Sequence, residues 1–262
     1  MKTATLLIIP VMVMISCKNE GNKPKDNAND VKSEISFYTT DDIKIYGDLY
    51  EIDKEHTTLL LFHQGGSNAV GEYSPIIPRL IEKGFNVLAI DQRMGGQAYG
   101  GCNRTLANIP SNHIGDGYGY CDAYNNLESA LDFVIESGFI GKKILWGSSY
   151  SASLSILLAN KRQGDVNGVL AFSPASGGPM KECLPDEYFE TLKIPLLLLR
   201  PANELENESS RVQFELAKRF DHKTYIAKNG IHGSSMLVKE RVGSDIKDNW
   251  NVVLSFLGRI EQ

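Results

Sequence analysis

Three residue types in this chain have the spacing of an acyl-transfer set. Ser149 sits in the middle of a sharp turn, Gly147-Ser148-Ser149-Tyr150-Ser151, between apolar Ile144-Leu145-Trp146 and the run Ala152 to Ala159. A short buried strand, a tight turn and a helix would lift one hydroxyl to the top of a sheet, with backbone N–H groups beside it. A serine hydroxyl becomes a nucleophile when a base takes its proton, and that base works best when an acid orients it. Five histidines are available. His232, in Asn229-Gly230-Ile231-His232-Gly233, lies just past the short strand read at Thr224 to Ala227. That is the carboxyl edge of a parallel sheet, where ligands bind. Glycine on both sides allows a turn tight enough to aim the imidazole. The turn after the apolar strand Pro195 to Leu199 offers three acids, Glu204, Glu206 and Glu208. The latter two equally suit a helix start, where acidic side chains meet the dipole.

The elements around these residues are consistent with that placement. Ile35 to Thr40 and Ile43 to Tyr50 alternate apolar and polar around Asp41-Asp42, as an antiparallel edge hairpin does. Thr57 to Phe62, Asn86 to Ile90, Val166 to Phe172 and Pro195 to Leu199 are apolar runs suited to strands buried on both faces. Helices are expected from Ser74-Pro75, where Ser can cap and Pro suits the first position, and from stripes at Leu127 to Ile135, Val212 to Phe220 and Ile246 to Leu257. Strands alternating with helices imply an α/β domain with a mostly parallel, twisted sheet of about eight strands and helices on both faces. The segment between the strands ending near Pro174 and starting at Pro195 leaves no room for a large cap domain. Met94 to Tyr120 is a long aperiodic loop rich in Gly and Tyr, and loops of that length in a compact domain commonly serve function. Tyr99, Tyr118, Tyr120 and Tyr124 would either pack this loop or form a stacking wall for substrate.

The turn at Ser149 resembles the Gly-x-Ser-x-Gly elbow of the α/β hydrolases, with Ser151 in the last small position. The order Ser, acid, His resembles that family too. The resemblance runs from about Ile35 to Ile260 and fits a capless, dienelactone-hydrolase-like esterase. It implies Ser149 as nucleophile, His232 as base, and Glu204 as acid from its spacing after Pro195. It further implies an oxyanion hole built from the N–H of Tyr150 and that of Gly65, with Gln64 as rival, because His63-Gln64-Gly65 occupies the place of the family's His-Gly-x. His63 is expected to be structural, and Asp91-Gln92-Arg93 to brace the loop. A Ser-Glu-His hydrolase of this kind needs no metal or organic cofactor and takes a small acyl ester. A prolyl-oligopeptidase-type peptidase and a non-catalytic surface lipoprotein are the alternatives.

The amino terminus is set apart from the rest. Met1-Lys2-Thr3, an apolar stretch to Ile15, and Ser16-Cys17 read as a lipoprotein signal peptide over residues 1–16. Met14-Ile15-Ser16-Cys17 resembles a lipobox, which implies acylation of Cys17, and residues 17–33 read as a flexible tether to a single domain over residues 34–262. Lys18 after that Cys points to the outer membrane of a bacterial envelope. Of the three other cysteines, Cys102 and Cys121 flank the long loop and are the expected pair in an oxidising compartment. A net charge of −5 argues against a nucleic-acid partner, and a monomer is expected.

Overall fold

Apolar runs without polar alternation become the middle of one sheet. The structure, a computed structural model, describes residues 31–110 and 118–262. The strands are β1 (Lys32–Tyr38), β2 (Lys44–Tyr50), β3 (Thr58–Phe62), β4 (Asn86–Asp91), β5 (Lys143–Ser148), β6 (Gly168–Phe172), β7 (Leu196–Pro201) and β8 (Lys223–Ala227). Their order across the sheet is β1-β2-β4-β3-β5-β6-β7-β8. β2 is antiparallel to both its neighbours, and every other pair is parallel. β3, β4, β6 and β7 are buried along their whole length, which explains why their sequences are apolar but for Thr58, Asn86, Asp91 and Arg200 at their ends. The edge hairpin turns at Asp41-Asp42, with Asp42 at φ +61° and Thr39 bonded to Ile43 across the turn.

The helices are α1 (Ala69–Tyr73), α2 (Ile77–Glu82), α3 (Arg104–Asn108), α4 (Tyr124–Glu136), α5 (Tyr150–Lys161), α6 (Glu208–Arg219), α7 (Lys239–Val242) and α8 (Lys247–Glu261). α4, α5 and α6 cover one face of the sheet, and α1, α2 and α8 the other. α5 is buried from Tyr150 to Ala159 on all sides, so it carries almost no amphipathic pattern. Among the described residues, β6 and β7 are joined only by turns of 3-10 helix at Gly178–Met180 and Asp186–Tyr188, so no large cap stands over the sheet.

Two local expectations are corrected. Helix does not begin at Ser74. Asn68 caps α1, its side chain accepting from the Gly71 N–H, and Ser74 ends that helix before α2 resumes at Ile77. A disulfide joins Cys121 to Cys183, with Cα atoms 5.7 Å apart, so the expected pairing of Cys121 with Cys102 is not formed. Asn68 Nδ2 donates to the carbonyls of Gly96 and Gly100, which ties the Cys102 end of the loop to α1, on the other face of the sheet from α4. Cys121 lies in the turn leading into α4 and meets the buried Cys183 there. The bond spans 62 residues. In a loop-entropy view that restrains the unfolded chain by about 4 kcal/mol. Cys183→Ser is expected to lower the unfolding free energy by about 2–4 kcal/mol in a denaturant titration.

Candidate active site

Ser149 stands where β5 turns into α5, and its backbone has φ +61° and ψ −122°. L residues rarely adopt such a conformation, at a cost of about 1–3 kcal/mol, and it persists only when neighbours over-determine it. Here the Ser149 N–H donates to the Phe172 carbonyl, and the Ser149 carbonyl accepts from the N–H groups of Ala152 and Ala175. The turn is tight: a Cβ on Gly147 would lie 2.4 Å from Ala152 Cα, so only glycine fits there. Ser151 in the last position is buried and useful. Its hydroxyl donates to the Phe62 carbonyl at 2.6 Å and accepts the Ser148 N–H at 2.9 Å. Serine therefore serves where glycine is more usual.

His232 follows β8 on a loop stitched to this elbow. The Gly233 N–H donates to Ser173 Oγ (3.1 Å) and the Ser234 N–H to Ser148 Oγ (3.0 Å), while Trp146 Nε1–H donates to Ser234 Oγ (2.9 Å). Gly233 has φ +70°, and a Cβ there would lie 2.3 Å from Ser148 Oγ. The residue after the histidine must therefore be glycine. Nδ1 of His232 is 2.6 Å from Oε1 of Glu204, on the 3-10 turn after β7. Oε2 of Glu204 accepts from Arg200 at 2.7 Å, and Arg200, 2% exposed, also donates to Gln213 Oε1 at 2.6 Å and to the Pro174 carbonyl. Partial burial alone would raise the Glu204 carboxyl, but His232, Arg200 and Ser173 outweigh it and hold its pKa below the usual value. Glu204 is thus ionised at neutral pH, and its Oε1 accepts from Nδ1 of His232. Glu206 and Glu208 are exposed, and among the described residues neither forms a hydrogen bond or ion pair with His232. Among the described residues Ser149 Oγ and Nε2 of His232 form no hydrogen bond; in such sites that bond commonly tightens only in the complex with substrate.

The loop after β3 faces the elbow. His63 is fully buried: Nε2 accepts the Gln92 N–H and Nδ1 bonds the Gln64 carbonyl at 2.9 Å. Burial holds its pKa down, so it is a neutral strut. The Gln64 N–H donates to Oε2 of Glu72 at 2.7 Å. A planar peptide points its C=O and N–H in opposite directions. With the Gln64 carbonyl turned to His63, the Gly65 N–H of the same peptide points away from it, and no backbone acceptor takes that N–H. Above it, the Tyr120 hydroxyl would lie 3.0 Å from a Cβ on Gly65, and the Tyr120 ring stacks on Tyr150 with centroids 4.8 Å apart.

The other loop tyrosines do not form one wall. Tyr99 lies under Arg241, Tyr118 under Arg93, and Tyr124 bonds Glu128. Asp91 accepts from the Ala69 N–H and Arg104, and Arg93 clamps Asp41 through both terminal guanidinium nitrogens. Both are braces. Sequence reasoning passed over Glu72, Arg200 and Ser173. Glu72 lies one residue before an apolar Tyr in a short helix, and nothing in that pattern marks burial; Arg200 lies within the buried strand β7, directly after the apolar run Leu196 to Leu199, which was a usable signal. Cys17 lies outside the described residues. Among the described residues no group of three or more His, Cys, Asp or Glu could hold a metal ion, and no helix is long and apolar enough to cross a membrane.

No family model matches the chain, and no curated protein matches it in sequence. Solved structures do match it in shape. An esterase from Pyrococcus furiosus superposes with a TM-score of 0.65 at 19% identity, over 91% of this chain and 96% of that one. A thermostable carboxyl esterase from Bacillus coagulans gives 0.65 at 13% identity, over 88% and 99%. A dienelactone hydrolase from Anabaena variabilis gives 0.56 at 16% identity, over 77% and 88%. Together with the strand order and the strained serine elbow, these likenesses show that the chain has the α/β-hydrolase fold.

Proposed function

We propose that this chain is a serine hydrolase that cleaves a small carboxylic ester through a Ser149-His232-Glu204 triad. Nε2 of His232 takes the proton of Ser149 Oγ as that oxygen attacks the acyl carbonyl. The Tyr150 and Gly65 N–H groups stabilise the tetrahedral oxyanion. As it collapses, the alcohol leaves with the proton from His232. Water then attacks the acyl-enzyme by the same route and releases the acid. Glu204, held by Arg200, keeps the imidazole in the right tautomer and stabilises its charged form. The observation that carries this reading is the 2.6 Å His232–Glu204 pair, on a loop hydrogen-bonded to the strand that bears the strained Ser149. No metal or organic cofactor enters these steps.

An ester is the favoured substrate because an alkoxide leaves more readily than an amide nitrogen. The absence of a screening domain among the described residues also disfavours a peptidase of the prolyl-oligopeptidase type. The protein is read as a monomer, and the acyl group would lie by Tyr120, whose ring stacks on Tyr150 and whose hydroxyl stands over Gly65. Export and anchoring through an acylated Cys17, with the domain held at the outer membrane, rest on the amino-terminal sequence. The Cys121–Cys183 disulfide supports an oxidising compartment. A panel of acyl nitrophenyl esters set beside peptide nitroanilides tests the reaction class. Turnover of short esters with no amide cleavage is expected. Faster amide than ester cleavage would favour the peptidase, and no turnover of either would favour a binding lipoprotein.

A further inference from the structure

Glu72 is the one carboxylate among the described residues that is both fully buried and next to the elbow without belonging to the triad. It sits in α1, beneath the point where three loops meet. Its Oε2 accepts the Gln64 N–H at 2.7 Å, from the loop that carries Gly65. Its other oxygen, Oε1, has no hydrogen-bond partner and would be 3.6 Å from a Cβ on Gly233, and the carboxyl lies near the Ser148 hydroxyl. Ser148 Oγ in turn accepts the Ser234 N–H from the loop that carries His232. Arg241 donates to the backbone carbonyls of Gly71 and Glu72 and to Ser235, fixing α1 on that same loop.

A buried carboxyl is costly, and well-packed apolar side chains of similar size commonly give equal or better stability. Stability is therefore a poor reason for this one. Burial also pushes the carboxyl up to about 7, against the pull of Ser148, the Gln64 N–H and Arg241, so near neutrality both protonation states are populated. In either state Oε2 can accept the Gln64 N–H.

We infer that Glu72 is a positioning residue for acyl transfer: its carboxyl holds the Gly65 loop in register with the Ser149 elbow and the His232 loop. It touches no reacting atom. By fixing the Gln64 N–H on one side while His63 fixes the Gln64 carbonyl on the other, it sets the direction of the Gly65 N–H. This inference rests on the hydrolase reading for its catalytic consequence, but the hydrogen bond itself can be tested without turnover.

The experiment compares Glu72→Met and Glu72→Gln with the wild type in the full chain. Met fills the space without an acceptor, and Gln keeps a carbonyl oxygen for the Gln64 N–H. Expected for Glu72→Met is a kcat about 100-fold lower per fluorophosphonate-titrated site, since a misplacement of about 1 Å costs that much, with KM within about threefold and an unchanged or higher melting temperature. Glu72→Gln should recover most of that loss. A Glu72→Met enzyme with wild-type kcat, or a kcat loss matched by loss of folded protein, overturns the inference. Amide hydrogen exchange at Gln64 is the second readout. Slow exchange in the wild type that becomes at least tenfold faster in Glu72→Met supports the inference, and equal rates overturn it. If the wild type fails to react with the fluorophosphonate, the hydrolase reading falls, and the Gln64 exchange still decides whether Glu72 holds this loop.

Discussion

Replacing Ser149 with Ala is expected to lower ester turnover by about 10⁵- to 10⁶-fold, with KM little changed. The side chain is the only group at the elbow able to form an acyl-enzyme. Ser148 points into the structure, where its hydroxyl accepts the Ser234 N–H, and Ser151 is spent on the Phe62 carbonyl. Neither can substitute. Ala keeps the backbone at φ +61°, and the contacts that impose that angle are backbone bonds to the Phe172 carbonyl and from the N–H groups of Ala152 and Ala175, so the fold should be retained. A small residual rate would come from the oxyanion donors and binding alone. The measurement is steady-state hydrolysis of an activated ester, with the pre-steady-state burst of the wild type absent in the variant.

Glu204→Ala has the second largest expected effect, and it falls on both rate and stability. Loss of the acid frees Nδ1 of His232 and removes the charge that stabilises its protonated form, which costs about 10⁴-fold in kcat. It also strands Arg200. That guanidinium is 2% exposed and keeps only neutral partners, Gln213 and the Pro174 carbonyl, once Glu204 is gone. Removing one partner of a buried ion pair costs about 3–5 kcal/mol; because Glu204 is itself partly exposed, the lower end is expected. The pH dependence has a definite sign. The folded pKa of Glu204 lies below its unfolded value of 4.5, so its contribution is fully present above 4.5 and is lost as pH falls through the folded value. Thermal melts from pH 7 down to 3 should show this loss in the wild type and a flatter profile in Glu204→Ala. The exposed Glu206 and Glu208 should tolerate Ala with near wild-type rate and stability.

Which parts were legible in the sequence follows from what is local. β3, β4, β6 and β7 read as buried strands because both of their faces are covered, and that requirement leaves an unbroken apolar run. The Gly147–Ser151 turn was legible because close packing of strand on helix admits only small residues there. His232 was legible through its flanking glycines, one of which sits at a positive φ against Ser148. Glu204 was separable from Glu206 and Glu208 only by family spacing, since all three are acids in one polar turn; in three dimensions Arg200 and His232 distinguish it. The partner of Cys121 was misread because closeness along the chain is a poor guide to closeness across a sheet: the Cys102 end of the loop is tied to α1 on one face, whereas Cys121 meets Cys183 at the other. The first turn of helix was missed because Asn68 in a Gly-rich stretch looked like loop and the Ser-Pro pair looked like a start. Glu72 left no trace at all. A carboxylate in a short helix reads as solvated until tertiary packing shows that it is buried.

The most direct test of the central claim is covalent labelling of the intact protein with a fluorophosphonate, followed by mass mapping of the adduct. The account predicts one adduct, on Ser149, absent in Ser149→Ala and formed far more slowly in His232→Ala. An adduct elsewhere, no adduct at all, or undiminished labelling of Ser149→Ala would contradict it.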